Sequence, residues 1–393
     1  EMAPPQKMRY NRLGDTGLLV SELSLGSWMT FDMQGGADTI SQSGKTARVD
    51  AAQAAYAIMK RAYQGGINFF DNAEAYANGN AERIMGDAVR LGIEEGTWDR
   101  QDLVITTKIF AGADNRRQSL TFNRSGLSRK HVLEGLRASL DRMTLTHVDV
   151  VFCHRPDPIT PIEEVVRAFN IAIQQGLCTY WATSEWSAVQ LLQAKAVADR
   201  LGLIPPCADQ PQYSLFVRGR VEVEYAPLYQ RAERGGMGLG LTIWSPLAGG
   251  VLTGKYRDGI PQGSRLDKSD FKKRADYDVL MQRVQESEKL RPITEKLGCT
   301  MTQLALAWCM ANPDVSTVIT GSSTVAQLDE QLDAVRFVDH ITPEMRLTID
   351  EALGDVVKTA RRVPGGDGQP TSSDAMVNAL RLKGLSEGAL SKL

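Results

Sequence analysis

Short apolar runs rich in β-branched residues alternate with longer amphipathic text along most of the chain, and run length separates strand from helix. In order they are Leu23 to Gly26, Ile67 to Phe70, Leu103 to Thr107, Val148 to Cys153, Thr179 to Thr183, Cys207 to Asp209, Leu241 to Trp244 and Val315 to Thr320. Runs this short, apolar on both faces, suit parallel strands covered on both sides. The text between them carries helix signals. Thr160-Pro161-Ile162-Glu163 reads as a capping box with proline in the first helical position, followed by Val165, Val166, Phe169 and Ile173 at helical spacing and stopped at Gly176. Thr300 with Gln303 and Thr324 with Gln327 repeat the device, and Gly65-Gly66 ends the helix before the second strand.

Eight strands, each returning through a helix with no break in composition, predict an α/β fold closed as a (β/α)8 TIM barrel rather than an open sheet split between two domains. The barrel domain is expected over residues 8–356. Met8 to Val20 reads as two short strands joined at Gly14-Asp15-Thr16-Gly17, a β-hairpin outside the barrel order that closes its bottom. Long polar loops are expected near 32–48, 111–126 and 256–275, at the face where the strands end. Residues 357–393 read as a C-terminal extension, first a Pro/Gly linker and then a short helix carrying Met376, Leu380, Leu382, Leu385 and Leu390.

Composition narrows the function. With 393 residues, 42% hydrophobic content and a formal net charge of −2, the chain is globular and has no basic surplus for nucleic acid. No apolar segment is long enough for membrane insertion, and the opening Glu-Met-Ala-Pro-Pro lacks the marks of a secretory signal, so a cytoplasmic location is expected. Five scattered cysteines read as reduced, packed thiols. With four histidines and neither CxxC nor HExxH, no metal site is expected. Gly44-Lys45-Thr46 lacks the glycine and the strand that a phosphate loop needs, and no GxGxxG joins a strand to a helix.

Four polar residues fall at the ends of three consecutive predicted strands: Asp71 and Tyr76 after the second, Lys108 closing the third and His154 closing the fourth. In a barrel these ends converge. A phenol is a poor acid near neutral pH until a cation stabilises its phenolate. Lys108 would supply that cation, Asp71 would keep it charged and oriented, and His154 would donate a hydrogen bond to a substrate carbonyl. The reaction suited to this set is carbonyl reduction.

These residues, with GINFFDNAEAYANGNAE, VITTKIF, HVDVVFCHRPD, YWATSEWS, WSPLAGGVLTGKY and GSSTVAQLDE, resemble the aldo-keto reductase superfamily. Within it the chain is most similar, from Arg9 to Ala334, to the β-subunits of voltage-gated potassium channels and their microbial and plant relatives. The resemblance implies NADPH bound in an extended pose, hydride transfer to an aldehyde or ketone, and Tyr76 as the general acid. Carried over where motifs match, the cofactor residues are Gly26, Ser27, Trp28 and Gln34 near the nicotinamide, with Asp71; Ser184 and Gln210 at the carboxamide; Trp244, Ser245, Pro246 and Leu247 beneath ribose and pyrophosphate; and Lys255, Arg265, Gly321, Ser323, Gln327 and Glu330 at the adenosine end. The turn at Gly321 precedes a helix N-terminus, a natural anion site, and Lys255 and Arg265 would favour the extra 2′-phosphate. Trp28, Phe110 and Tyr213 follow strand ends and are candidate substrate walls, whereas Trp181 is read as a strand and core residue that alternation points away from the neighbours of Thr183.

Three positions depart from the resemblance. His154 stands where the animal channel subunits have asparagine, completing the reductase tetrad; Ala111 replaces a tryptophan, widening the substrate mouth; and Glu185 replaces an arginine at the pyrophosphate. The leading expectation is therefore an NADPH-dependent reductase of small-molecule carbonyls, able to form a homo-oligomer such as a tetramer. One alternative is a channel β-subunit-like auxiliary protein that uses bound NADPH as a redox sensor with slow turnover. Another is a Schiff-base lyase using Lys108, which an adjacent Asp71 disfavours by keeping the amine protonated.

Overall fold

The computed structural model describes residues 7–28, 37–113, 123–230, 236–267 and 277–360. A two-stranded antiparallel hairpin, β1 (Tyr10–Arg12) and β2 (Leu19–Ser21), precedes eight parallel strands. These are β3 (Leu23–Gly26), β4 (Phe69–Asp71), β5 (Val104–Ile109), β6 (Val148–Cys153), β7 (Cys178–Thr183), β8 (Ala208–Asp209), β9 (Gly240–Ile243) and β10 (Thr317–Thr320). Each pairs with the next in sequence, and β10 closes on β3 through Val318 opposite Leu23 and Thr320 opposite Leu25. All eight expected strands are present, and the barrel is the expected (β/α)8 architecture with its N-terminal hairpin.

Strand alternation sorts the side chains into two layers. Phe69, Val104, Val150, Phe152, Ala182 and Ala208 fill the barrel interior together with Leu13 and Val20 of the hairpin, which plugs the end where the strands begin. Each of the larger side chains, Phe69, Val150, Phe152, Leu13 and Val20, wholly removed from water, contributes about 1.5–3 kcal/mol. The hairpin seats closely because Gly14, at φ +57°, lies where a Cβ would come within 2.3 Å of the Cys207 carbonyl oxygen. The other strand face packs on the helices.

Helix α1 (Ala37–Gln64) lays Ala51, Ala55, Ile58, Met59 and Ala62 against the barrel and ends at Gly66, whose φ is +94°. It begins well before the expected end of the loop near 32–48: residues 37–48 continue the helix, and Gly44-Lys45-Thr46 lies inside it. Polar, glycine-containing text read as a loop there because it lacks apolar periodicity. Helices α2 (Asn80–Glu94), α3 (Arg129–Met143), α4 (Ile162–Gln174) and α5 (Ala188–Leu201) follow β4, β5, β6 and β7.

The expected capping box at Thr160 is absent. Pro161 is the cap, Thr160 donates instead to Asp157 Oδ2 at 2.7 Å, and the Glu163 carboxylate pairs with Arg167 and Arg200. Thr300 and Gln303 do form a reciprocal box at the helix Met301–Met310. Thr324 caps Val325–Asp333, but the Gln327 amide oxygen accepts from Ser323 rather than from the cap residue. Between β8 and β9 the described residues hold only the π-helical turn Gly219–Glu224 and the short turn Ala226–Leu228 where a full returning helix was expected. The expected barrel boundary at residue 356 falls inside a helical turn, Asp355–Ala360, and the rest of the C-terminal extension lies outside the described residues.

Candidate active site

Inward-facing alternation carries up each strand from the packed interior to its end. Two residues beyond Phe69 stands Asp71; four beyond Val104 stands Lys108; two beyond Phe152 stands His154. All three are at least 95% buried. The Lys108 ammonium donates to Asp71 Oδ2 at 2.5 Å, to the Asn72 carbonyl at 2.8 Å and to the Tyr76 phenol oxygen at 3.1 Å. Its three donors are thus all used. Tyr76, half-buried, also meets His154 edge-on, with ring centroids 5.6 Å apart. Tyr76 is aimed by a strained turn: Ala77 and Asn78, at φ +48° and +54°, are left-handed although neither is glycine.

Burial pulls the Lys108 pKa down, but Asp71 and Tyr76 outweigh it, and the net shift is upward. The lysine therefore stays charged at neutral pH, unsuited to Schiff-base attack. Burial, reinforced by Arg155 and Lys108, holds His154 well below the usual histidine range, so its imidazole is neutral. Its Nδ1 is buried without a hydrogen-bond partner.

Asp71 is itself braced. Its Oδ1 accepts from Thr106 Oγ1 at 2.8 Å and from Gln210 Nε2 at 3.2 Å, and its carbonyl accepts from the Ser27 amide at 2.8 Å. Ser184 Oγ donates to the Gln210 carbonyl at 2.8 Å and accepts from Arg155 Nη1 at 3.1 Å. Ser27, Ser184 and Gln210 are thus tied to the tetrad or to one another. Trp244, Ser245, Pro246 and Leu247 leave β9, with Ser245 left-handed at φ +58°. Ser27 Oγ is buried and unpartnered, like His154 Nδ1. Two orphaned polar atoms, one on a tetrad member and one on the residue whose amide bonds the Asp71 carbonyl, fit a site that receives a polar ring carrying an amide, as a nicotinamide does.

The remaining candidates scatter more widely. Gly26 lets β3 approach Ile319, whose Cγ2 a Cβ would meet at 2.8 Å. Trp28 is 45% exposed at the end of β3, while Phe110 is buried and donates its amide to Glu74. Tyr213 is not brought to the tetrad: it is fully buried against Trp308, its hydroxyl bonded to Glu222 and Asn312. Its expected place as a substrate wall is therefore corrected to a packing role; a residue after a strand as short as β8 can turn outward. Gly321, Ser323 and Gln327 shape the turn before Val325–Asp333, Glu330 lies half-buried on that helix, and Lys255 is exposed with its ammonium 5.0 Å from the Tyr256 ring. Arg265 opens the short turn Arg265–Asp267, its side chain outside the described residues, as is Gln34 altogether.

Sequence reasoning missed several contributors. Thr106 shares the inward face of β5 with Lys108, so alternation could have found it. Asn72 acts through its carbonyl, which leaves no side-chain signal. Glu74, buried, ties the turn before Tyr76 to the end of β5 by accepting from the Phe110 and Gly112 amides at 2.7 and 2.8 Å. Its partner His131 sits 57 residues away in sequence. Among the described residues no group of three or more acidic, histidine or cysteine side chains could hold a metal ion, and no helix is long and apolar enough to cross a membrane.

Known proteins resemble this chain in sequence. Residues 22–353 match the Aldo/keto reductase family. Among the relatives, an Arabidopsis thaliana protein named "Probable voltage-gated potassium channel subunit beta" is 45% identical over 88% of this chain and 97% of its own length. A protein of the same name from Oryza sativa subsp. japonica is 46% identical over 86% of this chain and 94% of its own. With the match spanning the barrel from the buried start of β3 to the final helices, and with an acid, a lysine, a phenol and an imidazole gathered at the strand ends, the chain belongs to the aldo/keto reductase family.

Proposed function

We propose that the protein is an NADPH-dependent reductase that converts aldehydes or ketones to alcohols, with Tyr76 as the general acid. The observation that carries this reading is the position of the Lys108 ammonium between the Asp71 carboxylate and the Tyr76 phenol. A fully buried cation 3.1 Å from the phenol oxygen stabilises the phenolate left behind when the proton moves. Asp71 holds the lysine in place and lowers the cost of its burial. The neutral His154 imidazole can donate one hydrogen bond to a carbonyl oxygen without competing for the proton. Low exposure around all three excludes water, which strengthens each interaction.

When bound, NADPH supplies the hydride. Ser27, Ser184 and Gln210 would hold its nicotinamide end, Trp244 to Leu247 its middle, and Lys255, Arg265, Ser323 and Gln327 its adenosine 2′-phosphate end. Trp28, exposed at the end of β3, remains the candidate substrate wall, whereas the Phe110 ring is buried in the core as Tyr213 is. A cytoplasmic location and a tetrameric assembly stay part of the proposal, supported by the resemblance. The relatives' names favour a second reading, a channel-associated auxiliary subunit. A complete tetrad with His154 supports turnover over sensing alone.

The test is isotopic. With NADPH deuterated at the transferring position and an aromatic aldehyde, deuterium is expected on the carbinol carbon of the alcohol. Alcohol formed without label, or no alcohol under conditions where NADPH binds, rejects the reductase reading.

A further inference from the structure

Glu185 follows Ser184 at the end of β7 in a left-handed conformation, φ +61°, that side-chain-bearing residues adopt only when their surroundings enforce it. Those surroundings are explicit. Its Oε1 accepts the Gln212 amide at 2.6 Å and the Trp244 indole N–H at 2.9 Å, while Oε2 lies 3.7 Å from Arg220 Nε. Its own amide donates to Asp209 Oδ1 at 3.2 Å, and its carbonyl accepts from Arg220 Nη1 at 3.2 Å. The carboxylate is 9% exposed. One residue thus joins the ends of β7, β8 and β9, from which Ser184, Gln210 and Trp244 project.

We propose that Glu185 is a positioning residue that fixes the Trp244 indole as a wall of the cofactor cleft. This rests on the reading that the cofactor lies against Trp244. Two N–H groups converge on one point, and only an acceptor can stand there. An arginine, which carries no acceptor, would strand both donors in a nearly water-free place. The Glu185 side chain turns inward and braces the indole ring. A charge-assisted hydrogen bond to the indole leaves Trp244 one orientation, so its ordering is complete before the cofactor arrives.

The experiment has two readouts. In protein without cofactor, exchange of the Trp244 indole proton followed by NMR should be slow in wild type and Glu185→Gln, which keeps an acceptor oxygen, and at least about tenfold faster in Glu185→Leu. Calorimetric titration with NADPH should then show Glu185→Leu and Trp244→Phe each weakening binding about tenfold, with the double variant no worse than about twofold beyond either single. Glu185→Gln should bind within about twofold of wild type. Rapid exchange in wild type, undiminished NADPH affinity in Glu185→Leu, or losses that multiply in the double variant would overturn the proposal. Should Glu185→Leu not fold, Trp244→Phe binding NADPH as tightly as wild type overturns it equally. A wild-type protein with a protected indole proton but no NADPH binding would instead reject the cofactor reading.

Discussion

Replacing Lys108 by methionine, which keeps the length and removes the charge, tests both the stability and the chemistry of the tetrad. The ammonium is fully buried and gives its three hydrogen bonds to Asp71, the Asn72 carbonyl and Tyr76. Methionine strands the Asp71 carboxylate, itself 97% buried as judged from its 3% exposure. Breaking a buried ion pair from one side costs about 3–5 kcal/mol. Asp71 keeps donors from Thr106 at 2.8 Å and Gln210 at 3.2 Å, which places the loss near the lower end, about 3 kcal/mol. Urea unfolding should show that loss, and adding Asp71→Asn, which removes the stranded charge, should restore about half of it. Turnover of NADPH with a saturating aldehyde should fall by about a hundredfold or more in both variants, since the proton donor has lost its cation. A single variant as stable and as active as wild type would refute the reasoning.

Other consequences follow from the same geometry. Arg265→Ala should weaken NADPH at least about tenfold while leaving NADH nearly unchanged, because only the former carries a 2′-phosphate; equal losses in calorimetry would remove that role. Gly14→Ala would drive a methyl group to within 2.3 to 2.7 Å of three backbone atoms at a left-handed position, and should destabilise the plugged end by about 3 kcal/mol in thermal or urea unfolding. His154 is held neutral in the folded state with a pKa well below the usual 6.5, so the unfolded chain binds the extra proton as pH falls and folding loses stability below 6.5. Asp209, raised to about 6 mainly by burial, acts in the opposite sense: the folded state gains stability as pH falls through 6. Between pH 7 and pH 5, His154→Gln should therefore lose less stability than wild type, and parallel profiles would contradict this sign.

The barrel was legible because most of its parallel strands are buried on both faces and so read as short, largely apolar runs between stretches of helical text. Asp71, Lys108 and His154 were legible for the related reason that they interrupt such runs at their ends. What escaped notice depended on the backbone or on distant partners. Asn72 contributes a carbonyl, Glu74 meets His131 only through the fold, and the start of α1 carries no apolar stripe to announce it. Tyr213 misled because its position after a strand suggested the mouth, whereas β8 is two residues long and the chain beyond it turns the ring onto Trp308. Glu185 could be seen as a departure, but its partners Gln212 and Trp244 lie 27 and 59 residues further on.

The central claim is that the Tyr76 hydroxyl, beside Lys108, delivers the proton to the reduced carbonyl. Tyr76→Phe removes one oxygen from a half-buried ring and leaves Asp71 and Lys108 paired. Single-turnover oxidation of bound NADPH by an aromatic aldehyde should slow by about a hundredfold or more in this variant while the dissociation constant for NADPH stays within about twofold of wild type. Oxidation at the wild-type rate would contradict the account.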